Sequence, residues 1–222
     1  PGPRCYTSSF EFYNLGKMSV QVDPDDPEDK ALLLSLLKDA DIFITNTRPG
    51  SMKKHHLDYD SLKAQFPQLV YCHVTGWGRE GDWADRGAFD IGAFWSASGF
   101  SATTHPNPLN SANFVAGYGD TQTAHVTVGA LSAALLQRMQ TGTGRCVDAS
   151  LLRAGLWCMS PLLAEETSGA PTPDFARRPR LDQHSDEAPW YIAPFPATDG
   201  LVWIVATPET QGQTCAAACR AL

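Results

Sequence analysis

Leucines at 32, 33, 36 and 37 recur at the three-to-four spacing of one helix face. Before them, Asp23-Pro24-Asp25-Asp26-Pro27-Glu28 reads as a turn and a helix start, with acids in the first turn where the dipole favours them. The run Asp41-Ile42-Phe43-Ile44-Thr45 is short, apolar and β-branched, as a buried parallel strand requires. Asn46-Thr47-Arg48-Pro49-Gly50 breaks it just past the strand's C-terminal end, where open α/β sheets carry ligand loops. The pattern then repeats. A short helix is expected over Tyr59 to Phe66, a strand over Leu69 to Val74, and a glycine loop at Thr75-Gly76-Trp77-Gly78.

Further along, Ile91 to Phe100 reads as a helix and Thr103 to Ser111 as a Pro/Asn-rich loop. Thr121 to Met139 is a long Ala-rich helix that stops at Thr141-Gly142-Thr143-Gly144. Arg145 to Ala149 reads as a strand and Leu151 to Glu165 as a helix. Alternation of this kind predicts an α/β fold with a doubly wound, Rossmann-like parallel sheet. Residues 169–189 are rich in Pro, Arg and Asp without periodicity and read as a linker. Trp190 to Ala206, turning at Thr198-Asp199-Gly200, predicts a β-hairpin. The expected organisation is a large α/β domain over 1–168, the linker over 169–189, and the start of a smaller α+β domain over 190–222. The first βα unit is absent from the pattern and Leu222 falls in a helical stretch, so the chain is expected to be a piece of a longer protein.

Composition narrows the function classes. A hydrophobic share of 43% and a charged share of 18% suit a packed globular protein of 222 residues. The formal charge of −7 and the lack of a basic stretch argue against nucleic acid as a partner. No run of about 18 apolar residues is present, so no membrane partner is expected. The six cysteines form no C-x-x-C pair and suit reduced thiols in an intracellular, non-secreted protein. His55, His56, His73, His105, His125 and His184 are scattered and give no metal-ligand spacing. G-x-S-x-G, G-x-G-x-x-G and Walker loops are all missing.

Two features remain. Asp120, in Gly117-Tyr118-Gly119-Asp120-Thr121-Gln122-Thr123, sits where a glycine turn meets the long helix. A carboxylate there is an N-cap, or an exposed nucleophile ringed by N–H donors. His125, one turn on, is near enough to touch it. Lys53-Lys54-His55-His56, close after Arg48, form a basic cluster in an acidic chain, which is either a solvated patch or an anion site.

The ordered motifs resemble a known family. Asn14 to Val20 matches N-x-G-K-x-S-V/I, and Ala40 to Gly50 matches A-D-V-x-V/I-E-N-F/Y-R-P-G. Leu57-Asp58-Tyr59 and Pro67 to Tyr71 continue the series. Thr75 to Gly78 is similar to an S-G-F/Y-G turn, and Arg86 to Asp90 to an R-x-G-F/Y-D element. Gly119-Asp120-Thr121-x-Thr123 and Thr141 to Ser150 complete it. Together they resemble the class III coenzyme A transferases, the formyl-CoA and carnitine-CoA transferase group.

The resemblance implies ping-pong transfer of CoA from an acyl-CoA thioester to a carboxylic acid, with no permanently bound cofactor. Asp120 would be the nucleophile, forming an anhydride and then an enzyme thioester. CoA contacts would fall on Val22, Asp23, Asn46, Thr47, Arg48, Lys54, Thr75, Gly76, Trp77 and Gly78. Arg48 and Lys54 would grip phosphates, and Trp77 would stack on or line the pantetheine channel. An interlocked homodimer in the cytoplasm or mitochondrion is implied as well. Thr45 and Thr47 depart from the family's acid and aromatic, and Leu181 to Glu187 stands where some members carry a glycine-rich loop. The related α-methylacyl-CoA racemases use a histidine where this chain has Phe89, which cannot take a proton. A racemase and a non-catalytic CoA-binding protein are the rival readings.

Overall fold

A computed structural model describes residues 8–104, 115–169, 192–197 and 200–205. The chain divides into two compact units, one of residues 1–100 with 113–159 and one of 101–112 with 160–222. In the first, α1 (Ser8–Tyr13) precedes α2 (Pro27–Leu37), β1 (Ile42–Thr45), α3 (Pro49–Lys54), α4 (Tyr59–Leu62) and β2 (Val70–Thr75). A π-helical turn (Ile91–Ser96) leads to α5 (Phe100–Thr104), which passes into the second unit after Phe100; α6 (Tyr118–Thr141), β3 (Cys146–Ser150) and α7 (Leu151–Cys158) belong to the first. The second unit carries α8 (Ser160–Thr167) and the strands β4 (Ile192–Ala197) and β5 (Gly200–Val205). These two strands pair antiparallel, where a hairpin was expected.

The first unit is built on a parallel sheet in the order β1-β2-β3. Ile42 pairs with Val70 and Tyr71 with Cys146. Both faces of the central strand are covered, so Val70, Tyr71 and Cys72 are each at most 1% exposed. That explains why β2 reads as a continuous apolar run rather than an alternating one. Tyr71 packs on one side with Leu37, Met52, Leu57, Leu62 and Phe66 from α2 to α4. Val70 and Cys72 pack on the other with Leu131 and Ala134 of α6 and Val147 of β3. Burial pushes the Cys72 thiol up to about 11, which keeps it protonated and inert.

Local chemistry sets the helix starts. Asp26 accepts hydrogen bonds from the amides of Glu28 (2.8 Å) and Asp29 (3.1 Å), and Pro27 occupies the first position of α2. Asp58 does the same for α4 through Asp60 and Ser61. The leucine face differs from expectation: Leu33, Leu34 and Leu37 turn to the core, whereas Leu32 and Leu36 are exposed. Helix α6 starts three residues before Thr121, because Gly117 adopts φ 71° and launches it there. A third core cluster joins Ala93, Phe94 and Trp95 of the π-helical turn to Leu151 and Ala154 of α7. The expected helix over Leu151 to Glu165 is broken at Met159 into α7 and α8. The loop expected over Thr103 to Ser111, the linker over 169–189 and Leu181 to Glu187 lie largely or wholly outside the described residues. None of the described helices is long and apolar enough to cross a membrane.

Candidate functional site

The C-terminal ends of the three strands gather four segments: 46–50, 75–78, 83–90 and 117–120. The first is fixed from below. His73, buried in β2, places Nε2 2.6 Å from the Thr47 carbonyl oxygen, and the Thr47 amide donates to Thr45 Oγ1 at 3.2 Å. Asn46, Thr47 and Arg48 themselves are exposed. The second segment hangs from β3 and α7. Gly78 donates to Thr75 Oγ1 (2.9 Å), Thr75 Oγ1 donates to the Ala149 carbonyl (3.4 Å), and Leu152 donates to the Gly76 carbonyl (3.1 Å).

Segment 83–90 lies across both loops. A Cβ on Gly76 would collide with Ala88, and one on Gly87 would stand 3.1 Å from Arg48 Nη2. Trp77 and Trp83 meet edge to face with ring centres 4.8 Å apart. The Trp77 Nε1–H is buried with no hydrogen-bond partner.

Asp120 is the third residue of α6, not its N-cap. The N-cap is Gly117, whose left-handed backbone brings no side chain to cover the turn. The Asp120 carboxylate is exposed and lies over Gly117, with Oδ2 3.9 Å from where a Cβ would project. Its charge sits in the first turn, near the positive end of the helix dipole. His125 is exposed and forms no ion pair with Asp120.

Beneath Asp120 lies a residue that sequence reasoning had quoted only as the end of a motif. Asp90 is 8% exposed, with Oδ1 lacking a hydrogen-bond partner, and it packs against Gly119 so closely that a Cβ there would strike it. Burial raises its pKa, and the neighbouring Asp120 charge raises it further. The amides of Gly119 and Gly117 and the Trp95 indole pull the other way. The one available signal was an acid inside an apolar context, Ala88-Phe89-Asp90-Ile91. Phe89, at the racemase histidine position, is 87% exposed.

Lys54 and Asp23 are linked through Asp25, and Val22 precedes that turn. Lys54 Nζ is 3.1 Å from Asp25 Oδ1, and His55 Nδ1 is 3.6 Å from the same oxygen. Half of the basic cluster therefore answers an acid of this chain. Asp23 Oδ1 accepts from the Asp25 amide at 2.9 Å and fixes that turn. Among the described residues, no group of three His, Cys, Asp or Glu is placed to hold a metal.

The model of CoA-transferase family III matches residues 3–222. The chain belongs to that family. An (R)-2-hydroxy-4-methylpentanoate CoA-transferase of Clostridioides difficile is 30% identical over 164 residues, covering 74% of this chain and 41% of its own. A succinate–glutarate CoA-transferase of Agrobacterium fabrum is 36% identical over 154 residues, covering 68% and 38%. A crystal structure of a CaiB/BaiF family protein from Brucella suis superposes with TM-score 0.70 at 26% identity, covering 89% of this chain and 51% of that one. The chain thus spans about two-fifths of the length of these curated relatives and about half of the solved one. The expected α/β class is shared with that CaiB/BaiF family protein.

Proposed function

We propose that the protein of which this chain is part transfers CoA between an acyl-CoA thioester and a carboxylic acid, with Asp120 as the nucleophile. The observation that carries this reading is the exposed carboxylate over an uncapped glycine turn at the start of α6. An Asp120 oxygen attacks the thioester carbonyl carbon, the C–S bond breaks, and CoA leaves as its thiolate. The thiolate then attacks the aspartyl carbonyl of the mixed anhydride, which releases the donor acid and leaves an aspartyl thioester. The acceptor carboxylate attacks that thioester, a second anhydride forms, and CoA returns to give the new acyl-CoA and free Asp120. Charge builds on the carbonyl oxygen in every step, and the positive end of the α6 dipole offsets it.

Asn46, Thr47, Arg48 and the loop Thr75, Gly76, Trp77 and Gly78 contact CoA in this reading, on the side of the sheet where α/β folds bind ligands. Val22 and Asp23 complete the CoA contacts, and Arg48 and Lys54 take its phosphates, with Lys54 exchanging Asp25 for phosphate. No resident cofactor is needed. An interlocked homodimer is the expected assembly, checked by the solution mass from light scattering.

The test is mass spectrometry of the full-length protein incubated with a panel of acyl-CoAs and quenched with hydroxylamine. A hydroxamate on the Asp120 peptide is expected. Exchange of the substrate α-proton with solvent, without an adduct, would favour a racemase despite Phe89. CoA binding with neither signal would leave a binding protein.

A further inference from the structure

Residues 83–90 do more than pass over the site. Arg48 occupies the N-cap of α3 without capping it, which leaves the Gly50 N–H in need of an acceptor. Asp85, 35 residues further on, provides one, with Oδ1 2.7 Å from the Gly50 nitrogen. Two residues later Gly87 leaves room for the Arg48 guanidinium, as a Cβ there would stand 3.1 Å from Nη2. Ala88 then fills the space beside Gly76, and Asp90 reaches the underside of Gly119. A single eight-residue strap therefore grips segment 46–50, touches segment 75–78 and ends against the turn that bears Asp120.

We infer that Asp85 is a positioning residue, which pins this strap to the start of α3 and thereby fixes the direction of Arg48 for CoA. This rests on the CoA-binding role given to Arg48 under Proposed function. Charge alone argues against finding an acid here, since a carboxylate close to a phosphate-binding arginine repels the phosphate. Its bond to Gly50 accounts for it: the geometric gain must exceed the electrostatic handicap. The two effects have opposite signs on CoA affinity, so they can be separated.

The experiment measures CoA affinity by calorimetry, together with kcat and KM for an acyl-CoA donor, on the full-length wild type and on Asp85→Ala, Asp85→Asn and Gly87→Ala. Asp85→Ala is expected to raise Kd and KM roughly ten-fold with kcat within about two-fold, because a misdirected binding group costs ground-state and transition-state binding alike. Asp85→Asn removes the same charge and keeps an acceptor oxygen, so it is expected to bind CoA at least as tightly as wild type. Gly87→Ala asks the tip of the exposed Arg48 to give way and is expected to raise Kd in the same direction as Asp85→Ala, by about two- to three-fold. It carries the test if Asp85→Ala fails to fold. CoA binding by Asp85→Ala as tight as wild type or tighter, an Asn variant as weak as the Ala variant, or an unchanged Kd in Gly87→Ala would each overturn the inference. A wild type that binds no CoA and forms no Asp120 adduct would instead sink the function itself, and the positioning role with it.

Discussion

The two ends of the parallel sheet are built on different terms. At the N-terminal end, Arg138 of α6 donates Nη1 to the carbonyls of Asp41 and Gln68, both at 3.3 Å, and Nη2 to Asp41 Oδ1 at 2.7 Å. Gly144 donates to the Pro67 carbonyl at 2.8 Å and packs so closely that a Cβ would strike the Leu69 carbonyl. At the C-terminal end, Asp90 Oδ1 and Trp77 Nε1 are buried without partners, and Asp120 projects with none among the described residues. Buried unpaired groups cost stability. At one end Arg138 and Gly144 satisfy the strand-end carbonyls, and the other keeps polar groups and charge in reserve beside the proposed chemistry.

Changes at the two ends should separate activity from stability. The largest effect is expected from Asp120→Ala, a loss of at least about a thousand-fold in kcat with little change in melting temperature. Steady-state assay paired with calorimetry checks it, and a variant retaining a tenth of the wild-type rate would remove Asp120 from the chemistry. Next comes Gly144→Ala, which forces a methyl group onto backbone that cannot swing aside. It is expected to cost about 3 kcal/mol while leaving kcat unchanged below the unfolding transition, as read from urea titration and assay together. Arg138→Ala removes the three donated bonds and should cost about 1–2 kcal/mol, again without touching turnover.

The smallest effect is a pH dependence. Asp90 has its folded-state pKa raised above the unfolded value, so the folded protein holds that proton more tightly. Its contribution to stability is favourable below the unfolded pKa and is lost as pH rises through the raised folded value. Asp90→Asn removes this loss. The variant should therefore gain melting temperature over wild type as pH rises from about 4 to about 7. A difference that stays flat with pH would show that Asp90 is not titrating in that window.

Much of the fold was legible because its signals are local. The strands expected over Leu69 to Val74 and Arg145 to Ala149 appear one residue later, as Val70–Thr75 and Cys146–Ser150. At β2, burial on both faces wrote the apolar run Leu69-Val70-Tyr71-Cys72 into the sequence, whereas β3 is marked by the glycine stop before it. Asp120 was legible too, since a glycine turn before a long helix is a sequence signal, although its place as third helical residue depended on the φ of Gly117. What stayed hidden was tertiary. Asp90 in sequence is an acid between Phe89 and Ile91, and only packing against Gly119 makes it a buried neighbour of Asp120. The bond from Gly50 to Asp85 and the pairing of Lys54 with Asp25 span 35 and 29 residues, beyond any periodicity. The helix expected over Ile91 to Phe100 became a π-helical turn, with Phe94 and Trp95 buried in the cluster shared with α7.

Helix α6 joins the two ends. Its 24 residues make a rod about 36 Å long, bolted to the sheet's far edge by Arg138 and carrying Asp120 at its tip. Because each residue turns a helix by about 100°, the count of residues between Asp120 and Arg138 works like the pitch of a screw. One residue more or fewer would leave every side chain on the rod intact and point the carboxylate at the wrong quarter. The spacing between Asp120 and Arg138, rather than the exposed side chains between them, is what aims the carboxylate.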